Sequence, residues 1–258
     1  MKIVVIGCGA MGSAFAGHFA KKNAVILCDK DQKKGEALAA ELKGTYLKAP
    51  SEAVSGADAV LLAVKPQDLE AIASEIAPGL KKGTLLISIL AGTPTSTLKR
   101  YFPSASVVRA MPNMGLVCGA GVMGLVDEGD LTLETKQRID QLMEGMGLNL
   151  WMSESKLEAI TALSGSGIGF VLVMIEAMID GGVYLGFTSG EAREIVLKTM
   201  EGAIALMRES GKHPAELKLQ ICSPAGTTIA GLKVMEETGV RSGIMRTLLA
   251  SYERLAAF

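Results

Sequence analysis

Gly7-Cys8-Gly9-Ala10-Met11-Gly12 follows the apolar run Ile3–Ile6 directly and precedes a segment that reads as a helix. Each glycine has its own use in such a turn. Gly7 permits the tight reversal, Gly9 lets backbone N–H groups approach a pyrophosphate, and Gly12 lets helix and strand pack closely. With Ala10 and Met11 these residues open a helix whose N-terminus favours negative charge, which is the chemistry of dinucleotide binding. The following strand ends at Cys28-Asp29-Lys30. Asp29 would hydrogen-bond the adenosine ribose hydroxyls and favour NAD, or cap the next helix; Lys30, with Lys33 and Lys34, would neutralise a 2′-phosphate or form a solvated first turn. The balance leans narrowly to NADH, with NADPH usable through Lys30.

Two later strand ends carry further candidates. At Ala63-Val64-Lys65-Pro66, the proline removes a donor and stops the strand, leaving exposed backbone where the crevice of an open sheet binds ligands. Asn113, closing Arg109-Ala110-Met111-Pro112-Asn113, either presents its amide to a nicotinamide or caps a turn. Glycine-rich segments also occur at Ala162–Phe170 and Cys222–Ile229, in surroundings of helical pattern where glycine is costly. The second has the form of a loop opening a helix. Ser223, Thr227 and Thr228 offer hydroxyls there, and Gly226 with the free N–H groups offers an anion site that suits a carboxylate; the same residues would serve as plain caps. His213, before Pro214, reads as a helix-start residue and His18 as packing or surface. The cysteines at 8, 28, 118 and 222 are dispersed, with no Cys-x-x-Cys pair, which reads as small buried side chains in a reducing cytosol and no metal site.

These residues need elements to hold them. Ile3–Ile6, Ala24–Cys28, Ala59–Val64, Leu85–Ile89, Val107–Ala110, Gly121–Val126 and Leu148–Met152 read as strands, with helices at Gln32–Leu42, Leu69–Ala77 and Leu131–Met146. Runs of Val, Ile and Leu without alternation are what parallel strands covered on both faces require. After Trp151 only helical patterns remain: Ser155–Tyr184 with a break near 165–169, Ser189–Glu209 behind a cap at Thr188-Ser189, Pro214–Leu219, Thr227–Glu237 and Gly239–Ala257. The expected fold is α/β, an N-terminal Rossmann-like doubly wound sheet (1–152) followed by an all-α dimerisation and substrate-binding domain (153–258).

Across 258 residues, 26 Lys and Arg stand against 27 Asp and Glu, so the net charge of −1 provides no field for nucleic acid or an anionic membrane. The longest nearly unbroken apolar stretch, Phe170–Ile179, is roughly half of the ~20 residues a membrane span needs. Hydrophobic residues at 49% indicate a soluble globular protein. The short apolar run at residues 3–6, cut by Gly7, is not a secretory signal.

Beyond the glycine turn stand, in this order, Ala-Val-Lys-Pro-Gln at 63–67, Arg-Ala-Met-Pro-Asn at 109–113, Thr-Ala-Leu-Ser-Gly-Ser-Gly at 161–167, His-Pro-Ala-Glu-Leu at 213–217 and Ser-Pro-Ala-Gly-Thr-Thr-Ile-Ala-Gly-Leu at 223–232. Together they resemble pyrroline-5-carboxylate reductase over nearly the whole chain. The resemblance implies hydride transfer from NAD(P)H to the C=N carbon of 1-pyrroline-5-carboxylate, the last step of proline synthesis, in the cytoplasm. It implies substrate binding by Ser166, Gly167, Ser223, Ala225, Gly226, Thr227 and Thr228. The carboxylate would lie on Ser223 and the N–H groups around Gly226 and Thr227, and Thr228 would bond the ring nitrogen. It further implies interlocked helical domains in a dimer, which lets nicotinamide and substrate loop come from different subunits, and assembly to a decamer. Three positions depart from the family pattern: Met114-Gly115 stands for Thr-Pro, Ile168-Gly169 for Pro-Ala, and Ala225 for the first glycine of Pro-Gly-Gly. The alternatives are a β-hydroxyacid-dehydrogenase-like enzyme, whose expected lysine is missing from Ser164–Glu176, and a non-catalytic nucleotide-binding homologue.

Overall fold

The computed structural model describes residues 1–255. Eight strands run β1 Lys2–Ile6, β2 Ala24–Cys28, β3 Thr45–Tyr46, β4 Ala59–Leu62, β5 Leu85–Ser88, β6 Ser106–Pro112, β7 Gly121–Val126 and β8 Gly147–Met152. They form one sheet in the order β3-β2-β1-β4-β5-β6-β7-β8. All neighbours are parallel except β6 and β7. The expected doubly wound sheet is present, and the order reverses between β1 and β4, the position where such sheets bind ligands.

Both faces of the sheet are covered, which explains the unbroken apolar strands. Ile3, Val5, Leu27, Leu61 and Ile87 pack on one side with Phe15 and Phe19. Val4, Ile6, Val60, Leu62 and Leu86 pack on the other with Leu69, Ile76 and Phe102. The covering helices are α1 Ala10–Phe19, α2 Gln32–Leu42, α3 Pro50–Val54, α4 Leu69–Ile76, α5 Thr95–Tyr101 and α6 Leu133–Leu142, followed by a single turn, α7 Leu157–Ile160.

Several boundaries differ from the sequence reading. β4 stops at Leu62 rather than Val64, although Ala63 N–H still donates to Ile6 O at 2.8 Å before the chain turns at Pro66. α6 starts at Leu133 rather than Leu131 because Thr132 caps it, accepting from Thr135 N at 3.2 Å. β3, α3 and α5 were not expected; none is long enough to show a period. The break expected near 165–169 is absent. Instead Thr161–Ser166 forms a π-helical turn that runs into α8 Gly167–Tyr184. Hydroxyls of Thr161 and Ser164 donate to Leu157 O (2.6 Å) and Ile160 O (2.8 Å), the back-bonding that deforms helices.

The chain divides into two units, Met1–Gly165 together with Arg254 and Leu255, and Ser166–Glu253. The second holds α8 and then α9 Ser189–Ser210, α10 Pro214–Ile221, α11 Thr227–Glu237 and, up to Glu253, α12 Val240–Leu255. The cap expected before Glu191 is a full capping box between Thr188 and Glu191. The helix read as Gly239–Ala257 reaches Leu255, and its last two residues lie outside the described range. Apolar burial in this unit is sparse: among its described residues only Ala192, Val196 and Leu217 belong to the buried hydrophobic set, whereas Val171, Leu172, Val173, Met178, Ile204 and Met245 are exposed. The helical run Glu154–Tyr184 contains an 18-residue window of mean hydropathy 1.9 that is only 6% buried. By length and composition that run could cross a membrane, which the ten residues Phe170–Ile179 alone could not.

Candidate functional site

The glycine turn divides into residues that pack and one that leaves room. Gly7 has φ +100°, and a Cβ there would lie 2.5 Å from Ala63 O; a Cβ at Gly12 would lie 1.9 Å from Gly7 O and 3.2 Å from the Cβ of Ala63. Gly7, Gly12 and Ala63 are therefore one close-packed knot of backbone. Gly9 differs, because a Cβ there would meet nothing within 4 Å. It is also the N-cap of α1, with no side-chain cap and no acidic residue in the first turn. Open space beside uncapped N–H groups fits a pyrophosphate.

Asp29 braces this turn. Its Oδ2 accepts from Cys8 N at 2.5 Å and its Oδ1 from Asp31 N at 2.8 Å. It is not the cap of α2, a role taken by Asp31, which accepts from Lys34 N at 3.2 Å. Lys30 Nζ lies 3.6 Å from Asp68 Oδ2, on the turn that follows Lys65 and Pro66. Burial pushes the Cys8 and Cys28 thiols up to about 11 and about 12, so both stay protonated and neither is a nucleophile.

Asn113 realises the turn-capping alternative. Its Oδ1 accepts from Gly115 N (3.2 Å) and Val122 N (3.0 Å), and its Nδ2 donates to Ser164 O at 3.1 Å. Both ends of the amide are thus held by protein groups, and the tie to Ser164 meets the π-helical turn. The sequence reading also missed a knot between the middle of β6, the start of α5 and the turn after β8. Arg109, 4% exposed, donates through Nη1 to Glu154 Oε1 at 2.7 Å, and the same oxygen accepts from Thr95 N (2.8 Å) and Thr95 Oγ1 (3.0 Å). Arg109 was visible in its motif, but its partners lie at distant positions with no local signature.

In the helical unit, Ser223 to Gly226 make a turn closed by Gly226 N donating to Ser223 O at 3.0 Å. Ala225 sits within it at φ +58°. A Cβ at Gly226 would lie 2.2 Å from Ser223 Oγ, so the hydroxyl lies directly over the start of α11. No side chain caps that helix and no acid occupies its first turn, so the plain-cap alternative for Ser223 and Thr227 is not realised. Thr228 is half-buried in the first turn, and Ala225 and Gly226 line a groove of about 500 Å³ with Leu219, Cys222 and Ile229. Ser166 is positioned differently: its hydroxyl accepts from Ser251 Oγ of α12 at 2.9 Å, and Gly167 is buried at the start of α8. His213 caps α10, its Nδ1 accepting from Ala215 N at 3.3 Å, and His18 Nε2 lies 3.2 Å from Leu142 O; neither has the surroundings of a base.

Residues 154–257 match the family pattern described as pyrroline-5-carboxylate reductase dimerisation, and residues 2–92 match one described as NADP oxidoreductase, coenzyme F420-dependent. The chain is 35% identical over 254 residues to the pyrroline-5-carboxylate reductase of Aquifex aeolicus, covering 96% of this chain and 94% of the relative. It is 34% identical over 260 residues to the enzyme of that name from Methanosarcina acetivorans, covering 98% and 96%. Its structure is similar to the Plasmodium falciparum pyrroline carboxylate reductase with NADP bound, with TM-score 0.88, 26% identity, and coverage of 100% of this chain and 97% of the other.

Proposed function

The chain belongs to the pyrroline-5-carboxylate reductase family, and from that premise we propose how its residues divide the work. It reduces 1-pyrroline-5-carboxylate to proline with NAD(P)H. Residues 1–152 are the dinucleotide-binding domain and residues 153–258 the dimerisation and substrate domain. Gly9, Ala10 and Met11 hold the pyrophosphate at the start of α1, over the turn that Gly7 and Gly12 pack closed; Asp29 and Lys30 face the adenosine ribose; the backbone of Ala63 to Pro66 walls the crevice. Asn113 contributes by fixing the turn after β6.

The observation that carries the substrate assignment is the uncapped N-terminus of α11 beneath the Ser223 hydroxyl. Ser223 and the N–H of Thr227 at the start of α11 receive the carboxylate, with Ala225 and Gly226, whose own N–H is held by Ser223 O, shaping the turn, while Ser166 and Gly167 line the substrate from α8. The Thr228 hydroxyl holds the ring nitrogen as it changes from planar imine to amine. NAD(P)H supplies the hydride. An imine is readily protonated, so holding it in position accounts for most of the catalysis.

The exposed Val171, Leu172, Val173 and Met178 support a second copy of the chain as the partner of the helical unit. The same burial accounts for the apolar run Glu154–Tyr184 without a membrane. We take the dimer as the unit of a decamer in the cytoplasm, where free thiols persist. The test is substrate-dependent NAD(P)H oxidation by the wild type and by Ser223→Ala. The variant should raise KM for pyrroline-5-carboxylate more than it lowers kcat, and an unchanged KM would remove Ser223 from the carboxylate site.

A further inference from the structure

Lys30 and Asp68 meet across the switch point of the sheet. Lys30 follows β2, Asp68 closes the turn after β4, and β1 lies between those strands. Their charged atoms, 3.6 Å apart, span the end of β1 from which the Gly7–Gly12 turn emerges. Each partner passes over a nearer one. Asp68 is the N-cap residue of α4, yet its carboxylate makes no capping bond there. Asp29 adjoins Lys30 in sequence, but its two oxygens are taken by the N–H groups of Cys8 and Asp31. Lys30 therefore stands beside Asp29 at the end of β2 without pairing to it, and Asp68 is the anion that holds it.

We propose that Asp68 is a specificity-determining residue, which competes with a nucleotide 2′-phosphate for Lys30 and so biases the site toward the cofactor without that phosphate. This rests on the reading of the Gly7–Gly12 turn as the dinucleotide site. The Lys30 side chain is 81% exposed and that of Asp68 37%, so the pair is of the exposed kind that exchanges at little cost. A 2′-phosphate, with close to two negative charges and three acceptor oxygens, has to draw Lys30 away from Asp68 before it is neutralised. NADPH is thus admitted at a penalty, whereas NADH leaves the pair intact.

The test is calorimetric titration of the full-length protein with adenosine 2′,5′-bisphosphate and with adenosine 5′-monophosphate. Asp68→Asn should tighten binding of the bisphosphate by about two- to fivefold, leave the monophosphate within about 1.5-fold, and lose its effect as salt rises. Adding Lys30→Ala should abolish the gain, and Asp68→Ser should reproduce it. The ratio of kcat/KM for NADPH over NADH should move the same way. Equal tightening of both nucleotides, no tightening of either, or a gain that survives Lys30→Ala overturns the role of Asp68. Failure of the wild type to bind either nucleotide overturns that role together with the dinucleotide-site reading beneath it.

Discussion

The carboxylate of Asp29 and the backbone N–H of Cys8 are joined at 2.5 Å, so the acid at the end of β2 holds the glycine turn at the end of β1. Asp29→Ser removes an anion from the ribose position and a charged acceptor from two N–H groups. Hydrogen bonds to charged groups are worth about 1.5–3 kcal/mol, reduced here because Asp29 is half-exposed. The variant should raise the NADPH-to-NADH ratio of kcat/KM and also lower the melting temperature. A change in stability alone would make Asp29 a brace and nothing more.

Gly9 and Gly12 should separate cofactor binding from folding. Gly9→Ala meets no atom within 4 Å, so it should melt within about 1 kcal/mol of the wild type while raising KM for NAD(P)H at least about tenfold. Gly12→Ala places its methyl 1.9 Å from Gly7 O and should fail to fold as a soluble protein. Unchanged cofactor affinity in Gly9→Ala would place the pyrophosphate elsewhere.

Glu154→Ala leaves the Arg109 guanidinium buried without its carboxylate and unpairs Thr95 N–H. Breaking a buried pair costs about 3–5 kcal/mol, and since the Glu154 side chain is 27% exposed the expected loss is about 2–4 kcal/mol. The double variant Arg109→Met, Glu154→Leu should lose less than Glu154→Ala; a larger loss would contradict this account.

Acid should weaken the same knot. Burial raises the Glu154 carboxyl, but donors on Arg109 and Thr95 outweigh it and hold it below its ordinary value. A depressed folded-state value contributes stability that is complete above the unfolded value, about 4.3, and is lost as pH falls through the lower folded one. Melting curves against pH should therefore show an acid limb that Glu154→Ala flattens.

Ala225 occupies the left-handed region at φ +58°, where a residue with a Cβ bears roughly 1–2 kcal/mol. Ala225→Gly relieves that strain against about 0.5–1 kcal/mol of backbone entropy, for a net gain of up to about 1 kcal/mol. Ala225→Val should destabilise. Denaturant midpoints for the two variants check the order, and the reverse order would mean the turn is not strained.

Thr228→Ala should lower kcat/KM for pyrroline-5-carboxylate by roughly 5- to 150-fold, the value of one polar contact of about 1–3 kcal/mol. Because α11 takes no side-chain cap, the melting temperature should hold and NAD(P)H affinity should stay nearly intact. A destabilised variant with unaltered kcat/KM would show Thr228 to be structural.

The amino-acid sequence alone determined the alternation of apolar runs and helices, the glycine turn after β1, the capping box at Thr188 and the start of α11 at Thr227, because each depends on neighbours a few residues away. Covering both faces of a sheet demands runs such as Ile3–Ile6 wherever the helices come from. What Asp29, Asn113 and Arg109 do was decided only by tertiary structure. Each is a polar group whose partner is a backbone or side-chain atom distant in sequence: Cys8 N–H for Asp29, Val122 N–H and Ser164 O for Asn113, Glu154 for Arg109. The π-helical turn at Thr161–Ser166 has the same origin. The glycines at 165–169 suggested a break, but two hydroxyls returning to carbonyls four residues back, and Asn113 drawing on Ser164 O, kept the chain helical and only widened it. Local pattern sets which elements form, and satisfaction of buried polar groups sets what their residues are free to do.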